Sequence, residues 1–266
     1  LSTEAASLQG LRVLVTRPEA QQQALLEAIA AAGGQAVSLP LIAIEPIEDN
    51  KQQALLRQQI QELDNYRLLI FISTNAARYG GELIDNYWPQ FPLGVSVLAV
   101  GPATAEEVSR RLDCEVACSR SGMDSEALLA LPLLQDVAGA RIAIFRGQGG
   151  RELLAQTLRE RGARVDYIEV YRREAVPYAA DAAVNLITAE DVNVLTVSSG
   201  ESLKMLRQML GNNSGLLLLP LIVPSERIAE LALQLGFNQV HNAGGANNEA
   251  LLHCLQKLSA RADNKT

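Results

Sequence analysis

Polar side chains able to do chemistry recur in this sequence at the ends of short apolar runs. Arg146-Gly147-Gln148-Gly149-Gly150 follows one such run and opens a helical pattern. There, exposed backbone amides can cradle a phosphate or carboxylate, and the same residues also suit a plain tight turn. They do not read G-x-G-x-x-G, and no Gly-Lys-Ser/Thr occurs anywhere, which sets aside dinucleotide and P-loop nucleotide binding. Ser73-Thr74-Asn75 and Ser198-Ser199-Gly200 stand at similar turns. They suit helix capping, worth about 1 kcal/mol each, and they also offer hydroxyls and amides to a polyanion. No G-x-S-x-G surrounds Ser198 or Ser199, and His241 and His253 are poorly placed for a Ser-His-Asp triad. Thr16-Arg17, Gly101 to Thr104 and Pro224-Ser225 lie at further run ends. Arg17, Arg146 and Arg151 are either solvated or form a local positive pocket. Tyr171 is either a packing anchor or a phenol that gives a proton to a leaving group.

Composition narrows the class. The 266 residues are 48% hydrophobic and 20% charged, an ordinary globular balance. The charge sums to −7 and aromatics are 4%, which argues against nucleic acid as a partner, since phosphate neutralisation needs excess base and strand binding needs stacking rings. The longest apolar run, Gly215 to Val223, contains Pro220 and is far short of the roughly 20 residues of a membrane helix. Residues 1–11 show no basic stretch followed by an apolar block. Cys114, Cys118 and Cys254 are odd in number, and C-x3-C matches no common zinc or redox spacing. With two histidines, the expectation is no metal site and a cytoplasmic location.

The elements that position these residues occur twice. Leu11 to Thr16, Arg17-Pro18, a helix pattern and Gly33-Gly34 match Arg141 to Phe145, Arg146-Gly147, a helix pattern and Gly162, with Arg146 standing 129 residues after Arg17. Leu68 to Thr74 matches Val194 to Ser199, Ser198 following Ser73 by 125. Val97 to Thr104 matches Pro220 to Glu226 with Pro224 122 beyond Pro102, and Ser121 to Leu129 matches Gly244 to Leu252 with Gly245 123 beyond Gly122. Four offsets so close, in one order, mean a duplicated unit of domain size.

Within each copy, strands such as Leu69 to Ile72 are continuous apolar runs, as a parallel sheet buried on both faces requires. Helix starts are signalled at Pro18, Asn75, Thr104 and Ser225, and stops at Gly33, Gly162 and Gly236. The predicted fold is α/β, two similar open parallel-sheet α/β/α domains joined by a two-stranded bridge. Such sheets bind ligands beyond the carboxyl ends of their strands, where all the polar residues above fall, and two such edges suggest a hinged cleft. The bridge is expected from residues 40–46 and 168–177, which alternate apolar and polar and are bounded by prolines.

These segments together resemble the uroporphyrinogen-III synthase family: LRVLVTRP at Leu11 to Pro18, FISTNAA at Phe71 to Ala77, VLAVGPATA at Val97 to Ala105, IFRG at Ile144 to Gly147, VYRR at Val170 to Arg173 and LTVSSGES at Leu195 to Ser202. The resemblance implies a swapped arrangement, residues 1–39 with 178–266 in one domain, 47–167 in the other, and 40–46 and 168–177 bridging. It implies that linear hydroxymethylbilane is closed to uroporphyrinogen III with its last ring inverted through a spiro intermediate, water being lost and no metal or cofactor used. Tyr171 is then the candidate acid. Thr16, Arg17, Ser73, Thr74, Asn75, Gly101, Thr104, Arg146, Gly147, Ser198, Ser199 and Ser225 are the candidate substrate-binding residues. The family often carries Thr-Thr where this chain has Ser225-Glu226, so Ser225 is expected to substitute while Glu226 adds negative charge. A monomer touching the preceding pathway enzyme only transiently, away from membranes and nucleic acid, is the expected context. The competing class is a two-lobed polyanion or small-molecule binding protein without catalysis, which also has duplicated α/β lobes.

Overall fold

The computed structural model describes residues 7–119 and 125–263. Ser121 and Gly122, in the first copy of the fourth repeat block, lie outside the described residues. In chain order the elements are β1 (Arg12–Val15), α1 (Glu19–Ala31), β2 (Gln35–Ser38), β3 (Ile42–Pro46), α2 (Asn50–Gln61), β4 (Leu68–Phe71), α3 (Thr74–Tyr87), β5 (Ser96–Ala99), α4 (Pro102–Leu112), β6 (Val116–Cys118) and α5 (Ser125–Leu129). They continue with β7 (Arg141–Gly147), α6 (Leu153–Glu160), β8 (Arg164–Ala175), α7 (Ala182–Ala189), β9 (Val194–Thr196), α8 (Gly200–Leu210), β10 (Leu221–Val223), α9 (Glu226–Gln234), β11 (Val240–Asn242) and α10 (Asn248–Asp263).

Two compact units result, Leu1–Ala43 with Glu174–Thr266, and Ile44–Arg173. The first holds a sheet in the order β11-β10-β9-β1-β2, and the other sheet runs β3-β8-β7-β4-β5-β6. Under the repeat, β1 and β2 match β7 and β8, while β9, β10 and β11 match β4, β5 and β6. The five matched strands therefore have one topology in the two sheets, β3 being an addition to the second, and each set combines the first strand pair of one repeat with later strands of the other. The pairs β1–β2, β1–β9, β9–β10, β10–β11, β4–β5, β4–β7, β5–β6 and β7–β8 are parallel. The segments 40–46 and 168–177 contain β3 and the end of β8, hydrogen-bonded neighbours in the six-stranded sheet, and Val176 N donates to Leu41 O at 3.1 Å.

The continuous apolar strands explain the layers. Every residue of β4 is buried, and because successive side chains point to opposite faces, Leu69 and Phe71 enter one cluster with Ala76 and Ile84 of α3. Leu68 and Ile70 enter another with Leu154 and Leu158 of α6. In the first unit Val13, Val15, Val194 and Ile222 pack against Leu25 and Ile29 of α1 and Leu251 and Leu255 of α10. Helix starts fall within two residues of their signals: Pro18 and Ser225 are caps, α3 begins one residue before Asn75, and α4 begins two before Thr104. No described helix is long and apolar enough to cross a membrane.

One helical glycine governs how closely α3 approaches its sheet. A Cβ at Gly80 would lie 2.6 Å from Cδ1 of Phe145 and 3.1 Å from a ring carbon of Phe71, and those rings are stacked with centroids 4.4 Å apart. Alanine would gain about 1 kcal/mol of helix propensity but would overpack a fixed ring pair at a cost of roughly 1–3 kcal/mol. Gly80→Ala is therefore expected to lower stability, read as a smaller urea midpoint at unchanged slope.

Candidate active site

The ladder between β7 and β8 is regular from Arg141–Arg164 to Arg146–Glu169, and the next pair is Gly147–Tyr171. Val170 is thus an extra residue, a β-bulge, a device that re-aims side chains. Regular alternation would place Ile168 and Val170 on one face and Tyr171 on the other. The bulge turns Tyr171 round, and all three join the same buried cluster. A Cβ on Gly147 would lie 2.5 Å and 2.6 Å from Cε2 and Cζ of Tyr171, so the ring needs a residue without a side chain beside it. Tyr79 of α3 stacks on the same ring at 5.9 Å. The Tyr171 hydroxyl is 3.2 Å from Oγ of Ser73 and accepts from Nη2 of Arg173 at 3.4 Å. That direction is fixed because a guanidinium has no acceptor.

Ser73 is also the cap of α3, accepting from Ala76 N at 3.0 Å. Thr74, exposed, and Asn75, half-buried, follow as the first helical residues. Gly101 caps α4 with φ +84°, a left-handed conformation that favours glycine. Thr104, in the first turn of α4, is buried. A hollow of about 420 Å³ is lined by Arg146, Gly147, Arg151, Tyr167, Arg173 and neighbouring residues.

Arg146 is committed to this turn. Only 2% exposed, it donates to Glu152 at 3.2 Å, to Gly147 O at 3.3 Å and to Gly149 O, with its guanidinium 4.4 Å from the Tyr167 ring centroid. Tyr167 in turn donates to Glu152. The Tyr167 hydrogen bond first, and the Arg146 bond after it, hold the Glu152 carboxyl below its ordinary value. Burial chiefly, then Glu152, pushes the Tyr167 phenol up.

In the other unit the corresponding edge is built similarly. Thr16 Oγ1 donates to Thr196 O at 2.8 Å. Arg17, 8% exposed, donates to Ala246 O at 2.6 Å and to Asn248, fastening the end of β1 to the turn before α10. Burial lowers its pKa. Ser199 caps α8 in a reciprocal box with Ser202, with Ser198 half-buried just before it. Ser225 is the cap residue of α9 but makes no capping bond with its side chain. Glu226 begins α9, where its charge is favourable to the helix, and accepts from Asn242 at 3.0 Å.

The caps refine the repeat: Ser73 corresponds to Ser199 and Gly101 to Ser225, one and two residues from the matches that residue identity suggests. Of the candidates, the structure brings Tyr171, Ser73 and Gly147 into contact and sets Arg146 beside them. Thr16, Arg17, Ser198, Ser199 and Ser225 belong to the other unit's sheet edge. Sequence reasoning did not single out Tyr79 or Arg173. Arg173 stood in the VYRR segment, two residues from Tyr171, a spacing that puts both side chains on one face of a strand, and that spacing was the signal that could have found it.

Two outcomes follow from this geometry. Gly147→Ala is expected to displace the Tyr171 ring, costing roughly 1–3 kcal/mol of stability with an altered near-ultraviolet circular dichroism signal. A depressed carboxyl pKa adds stability at pH above its unfolded value, and that stability is lost as the pH falls through the folded value. The gap in thermal midpoint between the parent and Glu152→Gln is therefore expected to narrow as the pH drops from about 5 to about 3.

Comparison with known proteins bears on the whole arrangement. A family model described as uroporphyrinogen-III synthase HemD matches residues 23–253. The uroporphyrinogen-III synthases of Escherichia coli and Salmonella typhimurium are each 34% identical, over 92% of this chain and 100% of their own length. In fold alone, the chain is similar to a mutant uroporphyrinogen III synthase from Thermus thermophilus, with TM-score 0.60 at 17% identity over 95% of this chain and 99% of that one. It is likewise similar to a uroporphyrinogen-III synthetase from Helicobacter pylori, with TM-score 0.57 at 15% identity over 93% and 99%. These matches lend no support to the non-catalytic alternative. A family model spanning most of the residues, and relatives matched along their full length at 34% identity, show that the chain belongs to the uroporphyrinogen-III synthase family.

Proposed function

We propose that this chain closes hydroxymethylbilane to uroporphyrinogen III, inverting the last pyrrole ring and releasing water. The full-length family match carries this reading. The chemistry asks little in reagents. Once the hydroxymethyl oxygen is protonated, the pyrrole nitrogen pushes it out as water and leaves an azafulvene cation. Attack by the last ring at its already substituted carbon gives a spiro-pyrrolenine, which opens and recloses with that ring inverted, and loss of a ring proton restores the pyrrole. No oxidant, metal or cofactor is required, and uncatalysed closure gives the wrong isomer. Catalysis is then chiefly imposed geometry and exclusion of water from the cation.

Tyr171 is assigned as the acid for water loss, with Ser73, Gly147 and Tyr79 holding its ring and hydroxyl. Thr74, Asn75, Gly101, Thr104, Gly147, Ser198 and Ser225 are assigned to the substrate's carboxylates, through amides and hydroxyls at strand ends. Thr16, Arg17 and Arg146, which donate within the chain, and Ser199, whose hydroxyl accepts from Ser202 N, are assigned as supports. Three free cysteines suit a reducing compartment, and the cytoplasm is the proposed location. A monomer is proposed to receive its unstable substrate through transient contact with the enzyme that makes it.

The test generates hydroxymethylbilane in a coupled reaction, adds the protein without metal or cofactor, oxidises the products and resolves the isomers. Isomer III is expected to predominate, and isomer I at the no-enzyme level would sink the reading. Tyr171→Phe is expected to lower kcat by about 100-fold, the scale of lost acid catalysis, with the fold retained.

A further inference from the structure

The hydroxyl assigned as the acid is covered. Tyr171 is 1% exposed, and groups from three elements close on it: Gly147 of β7 at the ring edge, Tyr79 of α3 on the ring, Ser73 at the start of α3, and Arg173 of β8 itself. Arg78 lies beyond, its guanidinium 4.9 Å from the Tyr79 ring centroid. The first three are fixed. Gly147 is held in the β7–β8 ladder, Ser73 by its cap bond, and Tyr79 by donating to Ile44 O at 2.9 Å. Arg173 differs from them in being exposed. Its contact with the phenol oxygen is 3.4 Å, long for a hydrogen bond, and its guanidinium carbon is 5.9 Å from the ring centroid. The same side chain lines the hollow with Arg146 and Arg151, and Arg146 is already paired with Glu152. An ionised carboxylate placed in that hollow is a stronger partner for a guanidinium than a neutral phenol at this distance.

We propose that Arg173 binds a carboxylate of the substrate and in doing so leaves the Tyr171 hydroxyl, so that the acid is uncovered only when a substrate arm is seated. This rests on the reading of Tyr171 as the acid. The hollow, at about 420 Å³, suits one carboxyalkyl arm and the edge of its ring. Its floor includes Ile72, Val100 and Leu154, which match the arm's methylenes, while Arg151 and Arg173 meet its charge. Arg173 is thus a binding residue towards substrate and a positioning residue towards Tyr171.

The test measures access to Tyr171 in the ligand-free protein by acetylation with N-acetylimidazole, read by peptide mass spectrometry. Slow modification is expected in the parent, modification about tenfold faster in Arg173→Ala, and near-parent rates in Arg173→Lys. In the isomer assay Arg173→Ala is expected to raise KM for hydroxymethylbilane about tenfold with a much smaller change in kcat, as loss of one charge-assisted anchor would, and Arg173→Lys to restore most of it. Circular dichroism checks that each variant keeps its fold. Equal acetylation of the parent and Arg173→Ala, or an unchanged KM, overturns the proposal while leaving the acid reading intact wherever Tyr171→Phe is impaired. Full turnover by Tyr171→Phe instead removes the acid reading, and with it any role for uncovering the phenol.

Discussion

A glycine without a Cβ lies against an aromatic ring that an extra strand residue has turned toward it, and the edge of the six-stranded sheet is organised around that contact. Without Val170 as the bulge, Tyr171 would leave the face shared by Ile168 and Val170. With any side chain at 147, the ring would be pushed from its place. The partners reach it only because α3 lies close to the sheet, which Gly80 permits by leaving room for Phe145. Ser73 and Tyr79 are then carried to the phenol by one rigid helix.

Much of the fold was legible because its causes are local and repeated. Continuous apolar strands, caps and glycine stops marked the layers, and the duplication showed that one topology would occur twice. The placement of Tyr171 was not legible, since period-two alternation over residues 168–173 gives no hint of a bulge, which depends on pairing with β7. Nor could the sequence tell a guanidinium facing a ligand from one turned inward. Arg17 and Arg146 sit where an anion-binding residue would be sought, and the structure commits both to neighbouring turns. The cap positions also shift the third block by two residues, because Pro102 and Pro224 look equivalent but the chain places Gly101 and Ser225 at the same helix start.

The two buried arginines show how duplicated positions diverge electrostatically. Arg146 is matched by Glu152, so its turn is close to charge-balanced. Arg17 donates to a carbonyl and to a side-chain amide oxygen, which accept its hydrogen bonds without cancelling its charge. A cation desolvated in this way costs free energy and favours a nearby anion. A chain with net charge −7 can thus present a local positive potential at a strand end where its surface average is negative.

The exchange of strand pairs between repeats also orders events in time. The six-stranded sheet draws on a nearly continuous stretch, whereas β1 must find β9, with Arg12 bonding Asn193 across a separation of 181 residues. Closing so long a loop before its contacts form is what slows folding. During synthesis, domains form as their residues emerge. The ribosome therefore releases all the strands that hold Tyr171 while β1 and β2, made first, still wait for the neighbours that complete their own sheet.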